Sequence, residues 1–182
     1  MKQVKILCPT GHLAFTPMEK ASFLAGCREG PDYIVADAGS SDMGPRPLGA
    51  DSHVSLEDWQ SHDLEAMLVE ARRLGVPMIV GSASDTGTDR GVDQFVGLIR
   101  KIAERHGLAP FRLAALYSEV PVAELKRRRA EGAVIAGLDG RPDADDAILD
   151  RTTRAVAVMN AEPIVAALKD GADVVIAGRS SD

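Results

Sequence analysis

The residues able to do chemistry fall at recurring places in this chain, just after short apolar runs. Asp37, Ser40, Ser41 and Asp42 follow the run at 33–36. The polar stretch Gly-Ser-Ala-Ser-Asp-Thr-Gly-Thr-Asp occupies 81–89, after the run at 78–80. Glu119 follows 112–117, Asn160 and Glu162 follow 155–159, and Arg179, Ser180 and Asp182 follow 173–177. If the runs are parallel strands, all of these residues lie along one sheet edge, where α/β proteins bind ligands. The chemistry available there is that of a small anionic substrate. Arg179 has the planar fork that grips a carboxylate with two hydrogen bonds. Asp37, Glu119 or Asp182 could act as general base if burial raises its pKa. Ser82, Ser84 and Thr86 could hold an oxyanion or phosphate, with Ser41, Asp42, Asp85 and Asn160 as further substrate-binding residues. That set suits hydration, elimination or isomerisation of a carboxylate substrate. A competing reading makes the same edge a non-catalytic ligand-binding or subunit-interaction surface, completed by a C-terminal part. A third has Arg179 and Asp182 in a purely structural ion pair.

Several other chemistries are excluded or unsupported. The 81–89 stretch matches neither the glycine fingerprint of dinucleotide sites nor the phosphate loop of NTPases, and it equally suits a turn with a helix cap. No serine sits in a Gly-x-Ser-x-Gly elbow. His12, His53, His62 and His106 lack metal-binding spacing, so no metal site is assigned. His12 and His53 are the histidines nearer to strand ends and loops, whereas His62 and His106 suit helix surfaces and ends. No motif identifies a cofactor. The basic run at 126–129 reads as a solvated helix face.

The elements that must position these residues alternate. Strand-like runs at 4–8, 33–36, 78–80, 112–117, 155–159 and 173–177 are separated by segments of helical periodicity. Leu56, Trp59, Met67, Leu68, Ala71 and Leu74 share one face of a helix, with Ser55 and Asp58 resembling a capping box and Gly75 as its stop. Val92, Phe95, Val96, Ile99, Ile102 and Ala103 share another, ending at Gly107. Pro121 and Pro163 suit first helical turns, and Gly171 closes the last helix. The expectation is a six-stranded, mainly parallel α/β sheet with helices on both faces, Rossmann-like and doubly wound; a partial (β/α) barrel is the alternative. Residues 39–53 form a Gly- and Pro-rich loop, and 137–146 a turn into an acidic helix start.

The 182 residues suit one α/β domain, read as the N-terminal part of a longer protein. A net charge of −6 argues against a nucleic-acid partner. No run reaches the roughly 20 apolar residues of a membrane span, and no signal peptide is evident, so a cytoplasmic location is expected. Cys8 and Cys27 are expected as reduced thiols in or near the core. The expected partner is a small-molecule substrate; a C-terminal or separate small partner domain and a homo-oligomer are compatible with the sequence.

The last quarter of the chain resembles the acyclic terpene utilisation (AtuA) family. The resemblance is carried by Asn160, Pro163-Ile164-Val165, Ala167-Leu168, the run Gly171-Ala172-Asp173-Val174-Val175-Ile176-Ala177-Gly178-Arg179, and Asp182. Upstream the order of elements is similar and the residues diverge. The resemblance implies a catabolic role, including degradation of acyclic terpenes through acyl-CoA intermediates. It also implies a chain that is part of a longer protein with an accompanying small domain.

Overall fold

The computed structural model describes residues 3–16, 18–39 and 45–180. Five parallel strands form an open sheet: β1 (Ile6–Leu7), β2 (Tyr33–Gly39), β3 (Met78–Asp85), β4 (Leu113–Leu116) and β5 (Val174–Ala177). Their spatial order is β1-β2-β3-β5-β4. Seven helices connect them among the described residues: α1 (Lys20–Arg28), α2 (Pro45–Ala50), α3 (Glu57–Leu74), α4 (Asp89–Arg105), α5 (Val122–Ala130), α6 (Asp146–Arg151) and α7 (Glu162–Lys169). The sheet is not closed, so the doubly wound reading holds and the barrel alternative does not.

Alternation along the strands sorts the core into two layers. Leu7, Ile34, Ala36, Ala38, Met78, Val80, Val174 and Ile176 pack with Phe23 and Cys27 of α1, Leu64 to Ala71 of α3, and Val92 to Ile102 of α4. The residues between them, Tyr33, Val35, Ile79, Ala114, Leu116 and Val175, pack with Ile164, Ala167 and Leu168 of α7. The winding explains this. The chain moves one way across the sheet from β1 to β4, then turns back to insert β5. Right-handed crossovers therefore place α7 opposite the other three helices.

The sixth expected strand, 155–159, is absent as a strand. Its apolar residues form only isolated bridges, Glu119 with Val156 (antiparallel) and Met159 with Ser180 (parallel). Val120 N donates to Ala155 O and Ala157 N to Ser118 O, at 2.9 and 2.7 Å. The segment is an extended strap laid beyond the ends of β4 and β5, where no strand remains to pair along its length. The capping box at Ser55 is also absent: α3 begins after Leu56, which makes no side-chain cap. Ser55 Oγ donates to the buried Asp85 carboxylate at 2.9 Å instead. Gly75 does end α3 in the left-handed conformation, φ 68°. Cys27 is buried as expected, whereas Cys8 is exposed.

Candidate functional site

The carboxyl edge of β2, β3 and β5 is held by many buried side-chain hydrogen bonds. β3 runs into a segment where three non-glycine residues hold positive φ: Ser82 (50°), Ser84 (56°) and Asp85 (66°). Left-handed backbone costs such residues about 1 kcal/mol each or more, and it recurs where a site requires a particular shape. Buried side-chain bonds hold this shape. Asp85, 2 % exposed, accepts from Val54 N (2.5 Å), Ser55 N (2.9 Å) and Ser55 Oγ (2.9 Å). His12 Nε2 stands 3.6 Å from Asp85 Oδ1, and the His12 ring stacks on Phe15. Asp85 thus ties the loops after β1 and β2 to the end of β3.

The hydroxyls of this segment serve the interior. Ser82 Oγ accepts from Ser180 N at 3.2 Å. Ser84 Oγ lies between the Gln60 and Gln94 amides. Thr86 Oγ1 donates to Thr88 Oγ1, and Thr88 Oγ1 bonds Asp51 Oδ1 at 2.9 Å while capping α4 through Gly91 N. Ser82, Ser84, Thr86 and Thr88 are all buried.

Glu119 occupies a neighbouring cavity of about 300 Å³, lined also by Asp89, Pro121, Thr153 and Arg154. Its carboxylate accepts from Asp89 N at 3.1 Å and is ion-paired with Arg154, which also reaches Asp51 at 3.3 Å. The hydrogen bond to Glu119, reinforced by the Asp51 charge, raises the Arg154 pKa. The Glu119 carboxylate is thus already engaged by two groups of the protein.

Arg179 is different. Its guanidinium forms no hydrogen bond or ion pair among the described residues, although the side chain is half-buried. It lies over the end of β2: a methyl group placed on Gly39 would come within 2.7 Å of Arg179 Nη1. Nearby, Asp37 and Ser180 flank Gly81. A methyl group on Gly81 would touch Ser180 Cβ at 3.5 Å, and Asp37 Oδ1 and Ser180 Oγ at 3.6 Å each. A cation, a carboxylate and a hydroxyl therefore converge where β2, β3 and β5 end.

Of the residues expected at this edge, Asp37, Ser82, Ser84, Asp85, Thr86, Glu119 and Arg179 lie at or just beyond the ends of β2 to β5. Asn160 follows Met159, whose N–H donates to Arg179 O at 2.8 Å, and is itself exposed. Ser41, Asp42 and Asp182 lie outside the described residues. Sequence reasoning assigned no role to Ser118 and read Gly81 only as the start of the polar stretch 81–89. Ser118, next to Glu119 after β4, carried the same strand-end signal as its neighbours. Among the described residues no cluster of three or more His, Cys, Asp or Glu could hold a metal, and no helix is long and apolar enough to cross a membrane.

The family model described as "Acyclic terpene utilisation family protein AtuA" matches residues 4–182. No curated protein and no solved structure matches the chain.

Proposed function

We propose that this chain, which belongs to the acyclic terpene utilisation (AtuA) family, binds a carboxylate or acyl-CoA-like substrate at the carboxyl edge of its sheet. Family membership associates it with a catabolic process. The finer reading is an enzyme of the lyase or isomerase kind, performing hydration, elimination or isomerisation. The observation that carries this reading is Arg179: a half-buried guanidinium without a partner among the described residues, at the strand ends where Asp37 and Ser180 flank Gly81. Leaving a cation unpaired at the rim of a core is costly, and a substrate anion would offset that cost.

Each residue then has a role. Arg179 holds the carboxylate or thioester oxygen and stabilises negative charge developing on it. Asp37 takes the proton from the neighbouring carbon. Ser180 Oγ, beside Gly81, orients a hydroxyl or water. In isomerisation the proton returns at a different carbon; in elimination the β-hydroxyl leaves as water; hydration is the reverse. Ser82, Ser84, Thr86 and Asp85 support the geometry through their internal bonds. Glu119 stands one cavity away, paired with Arg154, as a supporting group.

All three reactions exchange hydrogen at the carbon beside the carbonyl. Incubating the protein with crotonyl-CoA and with crotonate in D2O, followed by mass spectrometry, tests the reading. Deuterium incorporation that is lost in Asp37→Asn is the expected result. Incorporation that persists in Asp37→Asn would remove Asp37 from the base role.

The alternative, a subunit-interaction domain, is favoured by one specific observation. Ile6 is 64 % exposed on the sheet face that it shares with half-buried Tyr33 and Val35. Analytical ultracentrifugation of wild type and Ile6→Asp tests it: an assembly dissolved by the substitution supports it, and a monomer in both cases contradicts it.

A further inference from the structure

We infer that Ser118 is a positioning residue for Arg179, acting through the Arg179 main chain; this rests on the proposal that Arg179 binds the substrate anion. Arg179 N donates to two acceptors, Ser118 Oγ at 2.8 Å and Gly87 O at 3.1 Å. Ser118 Oγ also donates to Gly87 O at 3.1 Å. One hydroxyl therefore joins three chain segments: the turn after β3, the end of β4 and the end of β5.

The surroundings of this hydroxyl are buried and close-packed. Ser118 is 5 % exposed. Its N–H donates to Asp89 Oδ1 at 3.2 Å, and its carbonyl accepts from Ala157 N at 2.7 Å, so the backbone is fixed on both sides. A methyl group on Gly178 would come within 2.5 Å of Ser118 Oγ, and one on Gly87 within 2.6 Å of Arg179 Cα. Two glycines thus clear the space in which Ser118 meets Arg179. On its far side Arg179 is anchored by Met159 N, which donates to Arg179 O at 2.8 Å. The main chain of Arg179 is held at both its N–H and its carbonyl, while its guanidinium is left without a protein partner among the described residues. That combination aims a side chain at a ligand and does not neutralise it. Preorganisation of this kind lowers the ordering cost of binding.

The test is a double-mutant cycle on the full chain, with crotonyl-CoA and crotonate as probes. Ser118→Ala should weaken probe binding about tenfold, the equivalent of one ordinary hydrogen bond. In an Arg179→Ala background the same substitution should have no further effect on affinity. Losses that add in the double variant would overturn the inference, because a merely structural serine acts independently of Arg179. A second readout needs no ligand: the side-chain Nε–H signal of Arg179 in nitrogen-15 relaxation. Ser118→Ala should increase its mobility, while an Arg179→Lys control reports the signal's assignment. Unchanged Arg179 mobility would overturn the inference even if no probe binds. Absence of probe binding to wild type, with the mobility change present, would reject the substrate reading and leave the positioning intact.

Discussion

The two edges of the sheet are built from the same materials and arranged oppositely. At the amino edge, Asp173 precedes β5 and accepts from Arg112 N at 2.8 Å and from Arg72 Nη1 at 2.7 Å. Arg72 also lies over the Phe111 ring at 5.4 Å. Cation and carboxylate there have each other, and the Arg112 amide, followed by the Arg72 bond, holds the Asp173 carboxyl below the usual range. At the carboxyl edge, six residues along the same chain, Arg179 has no such partner among the described residues, and the backbone of β3 bends through three left-handed non-glycine positions. At one edge cation and carboxylate are paired; at the other, the cation has no partner among the described residues and stands beside a costly backbone. We take that difference as the mark of the proposed binding edge.

Two glycines with the same φ of 68° offer the largest test of that contrast. Gly75 ends α3 at the amino edge, and a methyl group there would meet nothing within 4 Å. Gly87 turns the chain at the carboxyl edge, against the Arg179 backbone. Gly75→Ala should cost about 1 kcal/mol, the left-handed penalty alone. Gly87→Ala should cost about 3 kcal/mol or more, because overpacking adds to it. Urea denaturation gives both numbers, and equal losses would erase the distinction.

Gly81→Ala sharpens the comparison in the other direction. Its methyl group would sit at ordinary contact distances from Asp37 and Ser180, so stability should change by less than about 1 kcal/mol. Binding of crotonyl-CoA should nevertheless fall at least tenfold, since the methyl group would stand between Asp37 and Ser180. A large stability loss with intact binding would mean that this corner has no ligand role.

Asp173→Asn should remove about 1 kcal/mol at neutral pH, a modest amount because the pair is partly exposed. The pH dependence has a definite sign. A carboxyl with a depressed folded pKa stabilises the fold above its unfolded value, near 3.9, and that stability is lost as pH falls through the lower folded pKa. Wild type should therefore lose stability on acidification below about pH 4 more steeply than Asp173→Asn. Parallel acid limbs in thermal melts would contradict this.

The smallest effect belongs to α5. Arg127 first, then Arg128, draws the partly exposed Glu124 carboxyl down to about 2. An exposed ion-pair network contributes little to stability. Glu124→Gln should leave the melting temperature unchanged within measurement scatter, even though an NMR titration should show the low pKa.

Much of this was legible in the sequence. Strand and helix alternation is a periodicity, and it predicted β2, β3 and α4 and the polar residues at their ends. The run at 155–159 misled because an extended apolar strap and a sheet strand share one pattern; only the end of β4 at Leu116 decides that no partner strand remains. Ser55 looked like a cap because its competitor, Asp85, lies 30 residues away. The left-handed backbone at Ser82, Ser84 and Asp85 was invisible because none of these residues is glycine. The same holds for the pairing that restrains Glu119, since Arg154 is 35 residues distant. Position along the edge was readable; which of its residues are already partnered was not.

The central claim is that Arg179, without a partner among the described residues, binds an anion. Calorimetric titration of crotonyl-CoA and crotonate into wild type and Arg179→Lys tests it most directly. Lysine keeps the charge and loses the planar two-pronged contact, so the predicted result is at least a tenfold rise in Kd with an unchanged melting temperature. An unchanged Kd together with a melting temperature well below wild type would contradict the claim and make Arg179 a structural residue.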